Sequence, residues 1–296
     1  MKTTDTIGFI GLGVMGGPMC RNIATKHPGR VLCFDLSADA LAALADTKAE
    51  PVDTVEALAA ACDIICLSLP GGPQVQKVAA LIAATAAPGT VVVDLSTTTV
   101  ASARETAETL AASDIAFADC PVARTREAAQ QGKLSIMVGA DPAVYERIRP
   151  VLDYIASDVT HGGAVGAGQV LKLVNNMLVF ANTVALAEMI VLGEKAGVTA
   201  ETLLDAVSKG SGDSFVLRNH GMKSMGPRQF PDRSFPPEYV LKDIGYVFDL
   251  AADTGVRLPA AARVRDYYEA SVANGMAGKY FPGVITLVEN GTMEES

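Results

Sequence analysis

The stretch TIGFIGLGVMG near the start of the chain constrains the fold more than any other. Thr6 to Ile10 reads as a short apolar strand, and Gly11, Gly13 and Gly16 follow it at once in the spacing G-x-G-x-x-G. A helix marked by Met19, Ile23 and Ala24 comes next, then a second strand from Val31 to Asp35. The three glycines have separate physical roles. The first permits a tight turn, the second lets the backbone approach a pyrophosphate, and the third lets helix pack closely on strand. Leu12, Val14 and Met15 share the turn and join the glycines as candidate cofactor contacts. Asp35 closes the second strand, placed to accept a hydrogen bond from an adenosine ribose. An aspartate there repels a 2′-phosphate, and no arginine follows it in LSADA, which favours NAD over NADP.

The alternation of strand and helix continues. Val55–Ala61, Gln74–Ala84 and Val100–Leu110 read as helices, and Asp63–Leu69, Thr90–Leu95 and Ile115–Ala118 as strands. Short apolar strands separated by helices argue a parallel sheet covered on both faces, with ligands collecting beyond the carboxyl ends of its strands. Leu69, Pro70 and Thr97 fall at such ends and are further candidate cofactor contacts. Position alone leaves an equal alternative for Ser96 and Thr97, the capping of the next helix.

The loop from Asp119 to Leu134 precedes the strand-like SIMVG and carries Arg124 and Arg126 around Thr125. Two arginines there could hold a carboxylate, phosphate or sulfonate by forked, charge-assisted bonds, or could form a solvated face with Glu127.

The run from Gly162 to Gly197 reads as one long helix entered through a glycine-rich turn. Lys172 and Asn176, four residues apart, share a face among residues that are apolar nearly all round. Burial disfavours the charged form of a lysine, which is how such a residue exchanges protons near neutral pH; the bland alternative is a lysine that snorkels to the surface. The apolar part, Met177 to Leu192, is interrupted by Asn182 and Glu188 and is too short for a membrane span, so a core helix is expected.

Beyond it, Ala200–Lys209, Tyr239–Thr254, Val264–Asn274 and Val284–Asn290 read as helices. GSGDSFVLRNHG reads as a loop, the prolines from Pro227 to Pro237 mark an irregular connection, and MEES reads as a frayed tail. Apolar helical faces in excess of one core suggest a homodimer or homotetramer. A formal charge of −9 without basic clusters excludes nucleic acid as a natural partner, so an anionic ligand would need individual basic residues in clefts. The odd, scattered Cys20, Cys33, Cys62, Cys66 and Cys120, with no signal-peptide pattern ahead of them, read as reduced thiols of a cytoplasmic protein; no metal spacing occurs.

GFIGLGVMG, DLST at Asp94–Thr97, DCPV at Asp119–Val122 with Ala129, Gly132 and Leu134 in register, G-x-G-x-x-x-K-x-x-N-N at Gly166–Asn176 and KDI at Lys242–Ile244 together resemble the β-hydroxyacid dehydrogenases. That family includes 3-hydroxyisobutyrate dehydrogenase and tartronate semialdehyde reductase. The resemblance covers nearly the whole chain. It implies an α/β Rossmann domain that binds NAD (residues 1–163) and an all-α C-terminal domain (164–296), joined by a long interdomain helix at about 166–196. It further implies hydride transfer between nicotinamide and a small β-hydroxyacid or its semialdehyde. Lys172 would be the acid/base, Asn176 its partner, and Lys242 would lie near the nicotinamide. Asp243 either holds Lys242 or favours its helix start. Val122 to Thr125 would bind the substrate's acid, and Ser214 and Phe215 would border the substrate. Most members carry Ser-Gly-Gly where this chain has Ala123, Arg124 and Thr125, whereas sulfolactaldehyde reductases have a similar Gly-Arg-Thr. The departure suggests a small anionic substrate with an extra acidic group read by Arg124, with roles for Arg126 and Arg218 left open. Imine reductases and a chromatin-associated, non-catalytic relative share the architecture but lack the lysine that Lys172 supplies.

Overall fold

The computed structural model describes residues 5–232 and 234–292, so the MEES tail lies outside the described residues. The chain divides into two compact units, one ending at Lys172 and the other beginning at Leu173. The division falls inside the long helix.

The first unit opens β1 (Ile7–Ile10), α1 (Gly16–Lys26), β2 (Val31–Phe34), α2 (Ala38–Ala42), β3 (Ala49–Pro51), α3 (Val55–Ala61), β4 (Ile64–Leu67), α4 (Gly72–Thr85), β5 (Val91–Asp94), α5 (Val100–Ala111) and β6 (Ala116–Asp119). It continues with β7 (Val122–Ala123), α6 (Arg126–Gln130), β8 (Leu134–Gly139), α7 (Pro142–Leu152) and β9 (Ala156–Gly163). The sheet runs β3-β2-β1-β4-β5-β6-β8-β7, with β9 also on β8. β1 to β6 are parallel, as the alternation implies, and β1, β4 and β5 are buried throughout. One apolar layer gathers Ile7, Phe9, Met19, Cys66 and Val93, and a second, on the other face, gathers Leu58, Ile65, Leu67, Ile82 and Leu110.

The expectation of a wholly parallel sheet stops at β6. β8 runs antiparallel to both β6 and β7. The link from β7 to β8 is too short for a full crossover, which takes a dozen residues or more, so the chain turns back on itself around the five residues of α6. β9 then pairs with β8 in parallel. Cys20, Cys33, Cys62, Cys66 and Cys120 are free and buried; burial pushes the thiols of Cys62 and Cys66 up to about 12. Those two are packing groups at neutral pH.

α8 (Ala167–Lys195) leads into the second unit, followed by α9 (Ala200–Val207), α10 (Pro237–Thr254), α11 (Pro259–Ser271) and α12 (Ile285–Asn290). By length and apolar composition alone the 29 residues of α8 would suffice to cross a bilayer, so the argument that the run is too short fails. The core-helix reading rests instead on burial. Phe180, Ala187 and Ile190 pack with Leu204, Ile244, Tyr268 and Phe281 in one apolar cluster. Glu188 accepts a hydrogen bond from Tyr267. GSGDSFVLRNHG is only partly a loop: Leu217–Met225 winds as a wide π-helical segment, whose first turn is capped by Ser214 Oγ accepting from Leu217 N at 3.1 Å. Propensity does not foretell such a winding, because its i to i+5 bonds replace an ordinary helical ladder.

Candidate active site

The cofactor cradle is built by backbone. Gly11 sits at φ +93°, and a Cβ there would fall 2.2 Å from the Ser68 carbonyl oxygen. A Cβ on Gly16 would fall 2.0 Å from the Gly11 carbonyl, whereas one on Gly13 would meet nothing within 4 Å. Two glycines are therefore demanded by packing and the middle one leaves an open approach, the arrangement a pyrophosphate requires. Asp35 fixes the turn: its carboxylate accepts from Leu12 N at 2.5 Å and from Ser37 N at 2.8 Å. Val14, exposed, and Met15, half-buried, complete the turn. This geometry fits a dinucleotide, whose ribose hydroxyls can use the carboxylate's remaining lone pairs.

Beside it, Leu69 N donates to Ser96 Oγ at 2.9 Å, which joins the loops after β4 and β5 and sets Pro70 and Thr97 at neighbouring strand ends. The cap of α5 is Thr99, whose side chain accepts from Ser102 N, and not Ser96 or Thr97. The half-buried Thr97 is thereby left to other uses.

The start of α8 is tied to the same strand ends. Asp119 accepts from Gly166 N at 2.7 Å and from Gln169 N at 2.8 Å. Gln169, fully buried, accepts from Thr98 N at 3.0 Å and donates to the Ser96 carbonyl at 2.9 Å. Lys172 lies one turn beyond Gln169 and is itself buried. Sequence reasoning missed Asp119 and Gln169 as the parts that hold this helix; their signal was a polar residue in an otherwise apolar run. Burial pushes the carboxyl of Asp94 up to about 7 and that of Asp119 up to about 6, the latter opposed by its backbone donors.

In the second unit, Asn176 Nδ2 donates to Asp243 Oδ2 at 2.7 Å, and Asn175 Nδ2 donates to Asn176 Oδ1 at 3.1 Å. Lys242 Nζ stands 3.3 Å from Asp243 Oδ1, an ion pair without the angle of a hydrogen bond, and lies over the rings of Tyr239 and Tyr246. Of the two readings of Asp243, the hold on Lys242 stands, since the acidic residue in the first turn of α10 is Glu238; Asp243 is a buried link to both Lys242 and Asn176. Phe215 is exposed and meets the His220 ring edge-on, while Ser214 serves as a cap. Arg218 is engaged by Asp213 through three short contacts.

The loop at Val122–Thr125 departs furthest from expectation. Val122 and Ala123 pair with Ile136 and Ser135 on β8, and Thr125 Oγ caps α6 by accepting from Ala128 N. Arg126 is exposed at the first position of that helix. Arg124, at φ +86°, turns its guanidinium onto β9. Nη1 donates to the Lys133 carbonyl and to Ser157 Oγ, each at 2.7 Å, and Nη2 donates to Asp158 Oδ2 at 2.7 Å. The charge expected to face a substrate is here met by a carboxylate of the same unit.

A nucleotide cradle at the carboxyl ends of a parallel sheet and a buried lysine at the head of a long helix define a nicotinamide-dependent dehydrogenase with a helical second unit. Comparison with known proteins gives the family. A sequence model for the NAD binding domain of 6-phosphogluconate dehydrogenase matches residues 6–163, and one described as NAD-binding of NADP-dependent 3-hydroxyisobutyrate dehydrogenase matches residues 166–288. The chain is 36% identical to the 2-(hydroxymethyl)glutarate dehydrogenase of Eubacterium barkeri over 99% of its own length and 97% of that protein's. It is 30% identical to the 2-hydroxy-3-oxopropionate reductase of Escherichia coli, over 91% and 92% of the two chains. The solved Mycobacterium tuberculosis 3-hydroxyisobutyrate dehydrogenase with L-serine superposes with a TM-score of 0.86 at 30% identity, covering 96% and 99%. The chain belongs to the β-hydroxyacid dehydrogenase family and is an NAD(P)-dependent oxidoreductase of that family.

Proposed function

We propose that the enzyme interconverts a small β-hydroxyacid bearing a second acidic group with its semialdehyde, with NAD preferred and Lys172 as acid/base. The observation that carries this reading is the fixed placement of Lys172: a buried lysine on a helix start bonded through Asp119 and Gln169 to the cofactor-side loops. When bound, the nicotinamide supplies the hydride acceptor or donor at C4. In oxidation a neutral Lys172 takes the substrate hydroxyl proton; in reduction its ammonium returns one to the carbonyl oxygen. Asn176, anchored by Asp243, orients the reacting group, and Lys242 adds positive charge held by that same aspartate. NAD preference rests on Asp35, which would face a 2′-phosphate with like charge.

The second acid is supported by the relative that acts on 2-(hydroxymethyl)glutarate, a β-hydroxyacid with two carboxylates. A lone sulfonate in place of the carboxylates, as in sulfolactaldehyde, is the competing form. A direct grip by Arg124 would require the guanidinium to exchange Asp158 for the ligand. Initial rates with NAD and NADP on 2-(hydroxymethyl)glutarate, 2,3-dihydroxypropane-1-sulfonate, 3-hydroxyisobutyrate and glycerate test the reading. Lys172→Ala should lower kcat by ~10³-fold or more while NAD still binds. Equal loss of turnover and NAD binding would show a structural lysine, and a preference for 3-hydroxyisobutyrate would refute the second acid.

The five buried thiols accord with a cytoplasmic enzyme. A homo-oligomer is supported by Val174, Leu178, Met189 and Leu192, which expose 49% to 60% of their surface along α8 at helical spacing. Leu178→Glu should reduce the mass found by light scattering to that of one chain; an unchanged mass places the interface elsewhere.

A further inference from the structure

We propose that Arg124 is a positioning residue, which clasps β9 through Ser157 and Asp158 and so holds the substrate loop Val122–Thr125 in its left-handed turn. The proposal rests on the reading of this loop as the one that meets the substrate's acid. At φ +86° the backbone of Arg124 is in a conformation that glycine adopts readily and a residue with a Cβ resists. An arginine in that place needs something to hold it, and the side chain supplies it.

The clasp is a closed ring of bonds. Nη1 of Arg124 donates to Ser157 Oγ, Nη2 donates to Asp158 Oδ2, and Ser157 Oγ in turn donates to the same carboxylate oxygen at 2.8 Å. A further Nη1 bond reaches the Lys133 carbonyl, immediately before β8. Ala123 pairs with Ser135, and Ser135 pairs with Asp158, so the guanidinium reaches past the end of β8 to join the strands on either side of it. The target on β9 is shaped for this. Leu134 pairs with Ala156 and Ser135 with Asp158, which leaves Ser157 as the extra residue of a bulge. Ser157 first, and Arg124 with it, hold the Asp158 carboxyl below its ordinary value, toward the ionised form.

Two accounts of Arg124 then predict opposite results. If the arginine grips an anion itself, freeing it from Asp158 leaves or improves substrate binding, and glycine is as harmful as alanine. If it acts through the loop, losing either partner of the clasp damages binding, while glycine, which needs no clasp to hold a positive φ, rescues it. Arg124→Ala and Asp158→Ala should each raise the substrate KM about tenfold, with kcat and the KM for NAD within about twofold. The double variant should lose no more than either single one. Arg124→Gly should stay within about threefold of the parent enzyme. An Asp158→Ala enzyme with an unchanged or lower KM, or an Arg124→Gly enzyme as impaired as Arg124→Ala, would overturn the clasp.

Amide hydrogen exchange over residues 122–131 of the protein without substrate gives a second readout that stands even if the substrate assignment fails. Exchange there should quicken in Arg124→Ala and in Asp158→Ala alike. Unchanged protection in both overturns the proposal, whatever the kinetics show.

Discussion

The cofactor cradle and the substrate loop face one backbone demand and answer it by opposite means. Gly11 and Arg124 both have φ near +90°. At Gly11 the side chain is excluded, because the Ser68 carbonyl occupies the space that a Cβ would need. At Arg124 the side chain is kept, about 1–2 kcal/mol of local strain is accepted, and a bonded guanidinium offsets it. A shape set by close backbone contact is rigid, and the Asp35 carboxylate holds the turn beside it. One set by an exposed ion pair is adjustable and weakens with salt.

The sharpest way to break that comparison lies within the cradle. Gly16→Ala would drive a Cβ into the Gly11 carbonyl, so strand and helix must part; the loss of stability should reach ~3 kcal/mol or more in urea unfolding. Gly13→Ala adds the same methyl to open space and should keep stability within ~0.5 kcal/mol, yet weaken NAD at least ~10-fold because the pyrophosphate needs that approach. Equal destabilisation by the two would show that the middle glycine is a packing residue like its neighbours.

The same contrast explains what the sequence made legible. Gly11, Gly13, Gly16 and Asp35 act through spacing along one strand–turn–helix unit, and spacing is visible in a string of letters. The parallel strands β1, β2, β4, β5 and β6 and the long helix were legible as apolar runs, whereas the short, exposed β3 was not. The antiparallel return of β8 was not, since it depends on how little chain separates it from β7, and neither were α7 and β9. At the site, the positions of Lys172 and Asn176 on one helix face could be read, but not what holds them. Asp119, Gln169 and Asp243 are bound by partners 47 to 73 positions away in sequence. For Arg124 the letters offered a charge and a loop, and no local pattern says whether a guanidinium faces outward to a ligand or back to a bulge on β9.

The smallest effect separates two aspartates that the sequence treats alike. Asp94 and Asp119 close adjacent strands and face each other in register, both buried. Asp119 uses each carboxylate oxygen, on Gly166 N and on Gln169 N. An asparagine there would turn an N–H toward an N–H, so Asp119→Asn should cost ~1–3 kcal/mol at pH 7 and loosen the helix that carries Lys172. Asp94 accepts from Ser96 N through Oδ1 alone, and its Oδ2 has no hydrogen-bond partner. Its carboxyl is raised from 3.8 to about 7, chiefly by burial. The native state therefore holds a proton that the unfolded chain releases between those values, and stability falls as pH rises through that window. The contribution is complete below 3.8 and gone above about 7. Asp94→Asn cannot ionise, so the stability of the variant relative to the parent should improve by roughly 2–4 kcal/mol on going from pH 4 to pH 8, read from urea midpoints across that range. A constant difference would mean that Asp94 stays ionised in the native protein throughout. The strand ends beneath the cradle would then carry a fixed negative charge.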